Sequence, residues 1–330
     1  MANLQTKYLG LNLRNPIIVG SCGLTNTIEE LKEMEKFGAG AIVLKSLFEE
    51  EIEIELKKQM AEMVSTSNNV YPEIYDMFDL ATVEDTLTKY LSLIETAKKE
   101  LSIPIIPSIN CISATEWTFF AKKMQDAGAD AIELNVFLMP CEFDRTTKDS
   151  EQIYFDIVHK VKKEVTIPVS LKMSYYFSNL GGMLQRVSES GVDGLVLFNR
   201  FFAPDFDINN FRVIPASLYS NAQDLSISLR WIAIMAERVK CDLAASTGVH
   251  NGKSVIKQIL AGADAVQIAS ILYKNGISYI ATMIEEMEEW MTEMDYESLS
   301  EFRGKMSQAK SINPAVYERA QFMKHFSQKF

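Results

Sequence analysis

One short block that recurs four times in this chain limits the folds it can adopt. Each copy places a glycine where a helix would end, then a small or acidic residue, then an apolar run. Glycine suits the first position because it accepts the left-handed conformation that often ends a helix. The recurrence indicates a chain built by repeating one unit of helix and strand. The copies read GAGAIVLKS from Gly38, GADAIELN from Gly128, GVDGLVLFN from Gly191 and GADAVQIAS from Gly262.

Apolar runs of strand length recur along the whole chain. They do not alternate apolar with polar residues, so both faces of each strand should be buried, as in parallel sheets covered by helices. The predicted strands are 15–21, 41–46, 104–110, 131–137, 168–174, 194–200, 242–247 and 265–270. Segments with the helical period lie between them, at 27–37, 114–127, 152–165, 229–239 and 254–260. Eight strands alternating with helices predict one (β/α)8 TIM barrel with a parallel eight-stranded core, as a single domain over residues 1–330.

Long connections after strands 2, 4 and 6 interrupt the even spacing of this barrel. Residues 47–85 follow strand 2 and residues 200–226 follow strand 6, and both are too long for a simple loop. Because barrels of this type build their active sites at the carboxyl ends of the strands, we expect these excursions to form the rim of a site. The last segment, about 277–330, is predicted to be an amphipathic helix and a polar tail that pack outside the barrel.

Composition excludes several classes of protein. The net charge of −11, from 33 basic and 44 acidic side chains, argues against a nucleic-acid partner. No run approaches the 18 or so apolar residues of a membrane span, and no signal peptide is readable, so we expect a cytoplasmic protein. The cysteines contain no CxxC pair and the three histidines are scattered, so we expect free thiols and no metal site. The four cysteines are Cys22, Cys111, Cys141 and Cys241.

Lysine and asparagine stand at the ends of five predicted strands. A lysine directly after a buried strand is costly to desolvate unless it meets an anion or an electron-rich ligand. Asparagine carboxamides offer both donors and acceptors to a flat heterocycle. Any one of these residues alone could instead be a snorkelling side chain or a helix cap. Five on one rim favour a ligand site. They are Lys45, Asn110, Asn135, Lys172 and Asn199.

Small residues end strands 7 and 8. Ser246, Thr247 and Gly248 follow the seventh strand, and Ala269 and Ser270 follow the eighth. Such residues let backbone N–H groups approach an anion, and barrels often hold a phosphate at this position. The alternative is that they only let the barrel close tightly. Since no Ser-His-Asp or Cys-His arrangement is apparent, a phosphorylated cofactor is the better explanation.

In their order along the chain, these motifs resemble the dihydroorotate dehydrogenase family, and the C-terminal MTEMDYESLSEFRGK resembles the tail of its soluble class. The matching pieces are NPIIVGS with TIEEL, GAGAIVLKS, ADAIELN, IPVSLKMS, LFN, STGVHNG and GADAVQIAS. The resemblance implies FMN, with its phosphate at the strand 7 and 8 ends and its ring held by residues of strands 1, 2, 4 and 5. The implied FMN contacts are Gly20, Ser21, Lys45, Ser46, Asn135, Lys172, Thr247, Gly248, Ala269 and Ser270. The implied substrate contacts are Lys45, Asn135 and Asn199.

The substrate side departs from the family pattern. After strand 4 the family reads Asn-x-Ser-Cys-Pro-Asn with the cysteine as base, whereas this chain aligns Leu138 with that cysteine. A three-residue shift brings in Cys141, which with Lys45 is our predicted catalytic pair; the alternative is a loop thiol without a role. Arg200 replaces the family's Ser or Thr after strand 6, and PASLYSN (215–221) replaces a glycine-rich turn. In the loop after strand 2, the alignment does not choose between Asn68 and Asn69.

The resemblance implies an FMN-dependent oxidoreductase that acts on a CH–CH group and converts dihydroorotate to orotate in pyrimidine biosynthesis. A base would take the C5 proton while a hydride passes from C6 to the flavin. Two alternatives stay open: an FMN enzyme for another flat amide or carboxylate, and a flavin-binding protein without dehydrogenase activity. The expected partners are a small-molecule substrate, an unspecified electron acceptor and a second copy of the chain in a homodimer.

Overall fold

The computed structural model describes residues 2–52, 73–111, 116–201 and 203–318, except for the side chains of 73–85. The strands are β1 Thr6–Tyr8, β2 Leu11–Leu13, β3 Ile17–Val19, β4 Ala41–Val43, β5 Leu47–Phe48, β6 Ile105–Ile106, β7 Ser108–Asn110, β8 Ile132–Asn135, β9 Val169–Met173, β10 Gly194–Leu197, β11 Pro204–Asp207, β12 Arg212–Pro215, β13 Asp242–Ala245 and β14 Ala265–Ile268. The α-helices are α1 Ile28–Lys36, α2 Glu73–Glu100, α3 Glu116–Asp126, α4 Thr147–Glu164, α5 Leu180–Ser188, α6 Leu225–Met235, α7 Gly252–Ala261, α8 Ser270–Asn275, α9 Tyr279–Glu293 and α10 Ala315–Glu318.

The parallel strands close into a ring. Neighbours run β3, β4, β6, then β7, β8, β9, β10, β13 and β14, and β14 pairs with β3. Only Pro107 separates β6 from β7, and its carbonyl accepts from the Glu133 N–H at 2.9 Å, so 105–110 is one interrupted strand. The predicted TIM-barrel fold is confirmed, and each predicted strand contains an observed one.

Both faces of the barrel strands are buried, as their sequences predict. In β9, Val169, Leu171 and Met173 face the surrounding helices, while Ser170 and Lys172 alternate with them. Small and branched residues fill the lower interior of the barrel: Ile18, Ala41, Val43, Ile106, Ala131, Val196, Ala244 and Ala265. The β1–β2 hairpin packs Tyr8, Leu9 and Leu13 against this layer and closes the amino-terminal end.

Aspartates of the repeated block join neighbouring strands at the amino-terminal end. In three copies, the residue two places after the glycine accepts a backbone N–H at the start of the preceding strand at 2.8 Å. Each aspartate also pairs with a cationic side chain. The carboxylate therefore supplies the hydrogen-bond acceptor that the strand N–H would otherwise need from water. The groups are Asp130 with Ile105 and Lys98, Asp193 with Val169 and Lys162, and Asp264 with Leu243 and Arg303.

Two of the predicted excursions are only partly described. Most of 47–85, including Asn68 and Asn69, lies outside the described residues. The excursion after strand 6 forms the antiparallel β11–β12 hairpin. The predicted outer helix is confirmed as α9, which buries Ile280, Met283, Met287 and Met291. The end of the tail, 319–330, lies outside the described residues.

Asp264 makes the stability of the barrel depend on pH. Burial raises the pKa of its carboxyl group to about 6, although the Leu243 N–H and Arg303 oppose the rise. Because the folded-state pKa lies above that of the unfolded chain, the contribution of Asp264 is most favourable below about pH 4. It is lost as pH rises through about 6, at about 1.4 kcal/mol per unit of pKa shift.

We therefore expect Asp264→Asn, which does not titrate, to gain about 2 to 3 kcal/mol of unfolding free energy relative to the wild type between pH 4 and pH 7. Urea unfolding of both proteins at several pH values measures this difference in unfolding free energy. Asp126→Asn is the control, because Asp126 only pairs with Lys122 on the surface of α3. If the difference between Asp264→Asn and wild type stayed constant with pH, Asp264 would not be the source of the pH dependence.

Candidate active site

A polar cavity of about 220 Å³ lies at the carboxyl ends of the barrel strands. Its walls come from the ends of barrel strands 1, 5, 6, 7 and 8, which are β3, β9, β10, β13 and β14. Closure of the ring brings these ends to one rim. Predicted site residues that line it are Gly20, Ser21, Lys172, Asn199, Thr247, Gly248, Ala269 and Ser270. Further lining residues are Arg200, Leu218, Ser220, Ser246, Val249, Gln267 and Ile268.

The turn after β13 presents backbone donors to this cavity. Thr247 and Gly248 both have positive φ, 77° and 79°, which is uncommon for a β-branched threonine and typical of strained functional turns. A Cβ on Gly248 would lie 2.1 Å from the Leu225 nitrogen, so only glycine fits there. Gly248 and Val249 are buried residues, and their backbone N–H groups donate to no acceptor among the described residues. Buried donors need a partner, and an anion in the cavity would supply one.

A chain of hydrogen bonds links the polar residues at the ends of strands 1, 2, 4 and 6. The Ser21 and Ser46 hydroxyls lie 3.1 Å apart, and the Asn135 amide donates to Ser46 Oγ at 3.3 Å. The Asn199 amide in turn donates to Asn135 Oδ1 at 2.5 Å. These four residues, which we call the Ser–Asn chain, therefore form one connected polar surface. Asn110 differs, because it is buried in β7.

The two predicted catalytic residues lie elsewhere on the rim. The Lys45 ammonium forms an ion pair with Glu51, at 3.0 and 2.9 Å from its two oxygens. Cys141 is exposed in the loop after β8, where its N–H donates to the Met139 carbonyl at 2.8 Å. Arg145, four residues on, pairs with Glu142 at 2.7 Å. Neither lysine nor thiol is hydrogen-bonded to the Ser–Asn chain in this arrangement of the described residues.

A second, larger cavity of about 570 Å³ adjoins the first and shares Asn199, Arg200, Ser246 and Thr247 with it. Aromatic rings form much of its wall. The Tyr176 and Phe201 rings meet edge to face at 5.1 Å, and Tyr175 meets Phe198 in the same way at 5.7 Å. The remaining wall residues include Met139, Pro204, Ala216, Asp224 and Ile227. A flat apolar group would therefore fit beside the polar cavity.

Residues 217–221, which we call the strap, contribute Leu218 and Ser220 to the wall of the polar cavity and are held by cations. The Arg200 guanidinium donates to the carbonyls of Ser217 and Leu218 at 2.9 and 3.0 Å. Lys274 donates to the carbonyl of Ser220 at 2.9 Å. These charge-assisted bonds hold the segment where a glycine-rich turn was expected.

The strap is also tied by its own buried serine. The Ser220 N–H donates to Ser270 Oγ at 3.0 Å, and its hydroxyl lies 3.0 Å from His250 Nε2. Burial lowers the pKa of His250, and the positive charge of Lys274 lowers it further. The neutral imidazole is therefore favoured, which allows Nε2 to accept from the serine hydroxyl.

A model of the family described as dihydroorotate dehydrogenase matches residues 3–291. The chain belongs to the dihydroorotate dehydrogenase family. This confirms the resemblance of the motifs and the expected class of enzyme, a flavin-dependent oxidoreductase acting on a CH–CH group.

No helix in the described segments is long and apolar enough to span a membrane. The same residues contain no group of three or more His, Cys, Asp or Glu side chains arranged to hold a metal ion.

Similar proteins include three named dihydroorotate dehydrogenase B (NAD(+)), catalytic subunit. The protein of Thermoplasma volcanium is 27% identical over 315 residues, which cover 92% of this chain and 98% of that protein. The protein of Methanocaldococcus jannaschii is 28% identical over 297 residues, covering 88% and 94%. The protein of Bacillus mycoides is 23% identical over 313 residues, covering 92% and 97%. The similarity extends over nearly the full length of each.

Sequence reasoning missed several residues of the polar cavity. Gln267, which lines the cavity, and Glu133, which contacts it from below, lie inside predicted strands. A charged or amide residue in a buried strand is a signal that one strand face points to a polar site. Ser220 carried no local signal, because its position depends on contacts with His250 and Ser270. Arg200 was noticed only as a departure from the family.

We expect Arg200→Ser to loosen the strap, because it removes two charge-assisted hydrogen bonds to strap carbonyls. Hydrogen exchange followed by mass spectrometry should show protection of the strap amides reduced at least tenfold. Arg212→Ser, in the exposed β12 strand, is the matched control and should leave the strap unchanged. Equal strap protection in Arg200→Ser and wild type would mean that Lys274, Ser270 and His250 suffice.

Proposed function

We propose that this protein is an FMN-dependent oxidoreductase that oxidises dihydroorotate to orotate. The observation that carries the proposal is the polar cavity, which is lined by the buried residues Gly248 and Val249, whose N–H groups have no acceptor among the described residues, and by Ser21 and Asn199 of the Ser–Asn chain. Family membership supports the activity, because the similar proteins carry the name dihydroorotate dehydrogenase.

The residues present fit FMN. The Gly248 and Val249 N–H groups, with the Ser270 hydroxyl, would hold a phosphate, since oriented backbone donors bind anions. Lys172 and the glycine at position 20 line the same cavity, and the absence of a side chain at Gly20 leaves room beside Gln267. When bound, FMN supplies the acceptor for a hydride.

The side chains at the strand ends would bind and orient the substrate. Asn135 and Asn199 carry amide donors and acceptors that match the imide and carboxylate groups of dihydroorotate. Lys45 would neutralise negative charge on the substrate after leaving Glu51. Cys141 would take the C5 proton, which requires its loop to fold inward over the bound substrate.

Partners follow from the names of the similar proteins. They are catalytic subunits of an NAD(+)-linked enzyme, so we propose that this chain passes electrons to a partner subunit and then to NAD⁺. Together with the predicted homodimer, this gives an assembly of catalytic and electron-transfer chains. We further propose that the assembly is cytoplasmic, in keeping with a pathway for pyrimidine synthesis.

The second cavity favours one alternative function. Its aromatic wall lies beside Asn199 and Arg200, so a flat carboxylate or amide with a larger apolar body than dihydroorotate would fit there. Two of the five N–H donors of Arg200 bind the strap and its Nε lies 3.9 Å from Asp224, so a substrate carboxylate would use the remaining donors in competition with Asp224. The alternative is therefore the same FMN chemistry on a bulkier substrate.

Purified protein should contain non-covalent FMN, and dihydroorotate should bleach its flavin absorbance under anaerobic conditions. Orotate formation, followed by its ultraviolet absorbance, measures the same reaction. A flavoprotein inert toward dihydroorotate but reduced by a larger aromatic carboxylate would favour the alternative function. Protein that stays colourless after reconstitution with FMN would refute both.

Cys141→Ala should lower dihydroorotate oxidation at least about 100-fold with FMN still bound, because a general base contributes at least that much. Lys45→Ala should lower it by more than about tenfold, equal to about 1.4 kcal/mol of transition-state stabilisation. Stopped-flow reduction of bound flavin measures both effects. Cys241→Ala, a half-buried thiol away from the cavity, is the control. An unchanged rate in either variant removes that residue from the catalytic pair.

A further inference from the structure

Three polar side chains form a closed group inside the barrel, directly below the polar cavity. The Lys172 ammonium donates to Gln267 Oε1 at 2.9 Å and lies 3.4 Å from Glu133 Oε1. Gln267 Nε2 donates to the other oxygen of Glu133 at 2.5 Å. Every member therefore contacts the other two. We call these residues the barrel triad.

The barrel triad is almost completely buried. Glu133, Gln267 and Lys172 are 1%, 2% and 8% exposed. A charge in such a place is costly unless it is paired and its remaining hydrogen-bonding groups are satisfied. Glu133 and Gln267 pair with Lys172 inside the barrel and so meet this condition. Lys172 and Gln267 also line the cavity above.

An ammonium has three N–H donors, and the barrel triad uses two of them. The third remains for a group in the cavity. Because the two partners come from β8 and β14, on opposite sides of β9 in the ring, they restrain the lysine from two directions. A buried lysine without such partners would lose either its orientation or its charge.

We propose that Glu133 and Gln267 are positioning residues that hold the Lys172 ammonium directed into the cavity, where it stabilises the electron-rich form of the bound cofactor. The inference rests on the proposed binding of FMN. Glu133 does not line the cavity itself but contacts Lys172 and Gln267, which do, and in this proposal its effect on the cofactor passes through the lysine. Its effect should therefore vanish when Lys172 is absent.

A double-mutant cycle tests this dependence, using Glu133→Gln, Lys172→Met and the double variant. Glu133→Gln alone should weaken FMN binding at least tenfold, measured by the recovery of free-flavin fluorescence. It should also lower the two-electron midpoint potential by about 30 mV, which corresponds to a tenfold change in the equilibrium constant. In the Lys172→Met background, the same substitution should change FMN affinity less than threefold.

Equal effects of Glu133→Gln in both backgrounds would overturn the proposal, since they would show a general packing role. A rise in the midpoint potential would also overturn it, because the carboxylate would then only offset the positive charge. Gln267→Leu keeps both charges but removes the second restraint, and its effect should likewise require Lys172. Ser188→Ala, on α5 away from the cavity, controls for a buried polar substitution.

Thermal unfolding of the flavin-free variants keeps the test independent of the proposed function. Glu133→Gln should lower the melting temperature by several degrees, and adding Lys172→Met should restore most of the loss because no unpaired charge is then buried. Additive losses would contradict the pairing. Wild-type protein that binds no FMN would refute the proposed function, while the unfolding cycle still decides whether Glu133 and Lys172 act together.

Discussion

Hydrogen bonding between β14 and β3 is the constraint on which the site depends. It joins the last strand of the barrel to the first strand of the barrel, β3. The Gly20 N–H continues the pairing by donating to the Ile268 carbonyl at 2.8 Å. Closure brings the small residues after strand 8 beside those after strand 1, although more than 240 residues separate them along the chain. Without it, the turn at Gly248 and the Ser–Asn chain would not meet at one cavity.

The two ends of the barrel use polar residues in different ways. At the amino-terminal end, the joint aspartates accept strand N–H groups and pair with cations, so the polar groups are satisfied within the protein. At the carboxyl end, the N–H groups of Gly248 and Val249 have no acceptor among the described residues. The first arrangement stabilises the fold and the second leaves donors at the end where barrels of this type build their sites.

Between these ends, the barrel interior changes from apolar to polar over one layer. Alanine, valine and isoleucine fill the lower interior, and the barrel triad lies above them. Because Lys172 is almost completely buried above this apolar layer, its interactions with both partners are stronger than they would be in water. On the outer side, Arg200 holds the strap by charge-assisted bonds beside the aromatic cavity.

The sequence by itself determined the barrel and most of the polar cavity. Uninterrupted apolar runs and repeated joints predict parallel strands covered by helices, and strand ends in such a fold must share one rim. The positions of Lys172, Asn199 and Gly248 followed from that geometry alone. Tertiary structure decided which side chains meet: the pairing of Glu133 and Gln267 with Lys172, the contacts of the strap, and the ion pair of Lys45 with Glu51. Strand order can be inferred from a local period, but a contact such as that of Lys172 with Gln267, 95 positions apart, depends on barrel closure and side-chain packing, which no local pattern encodes.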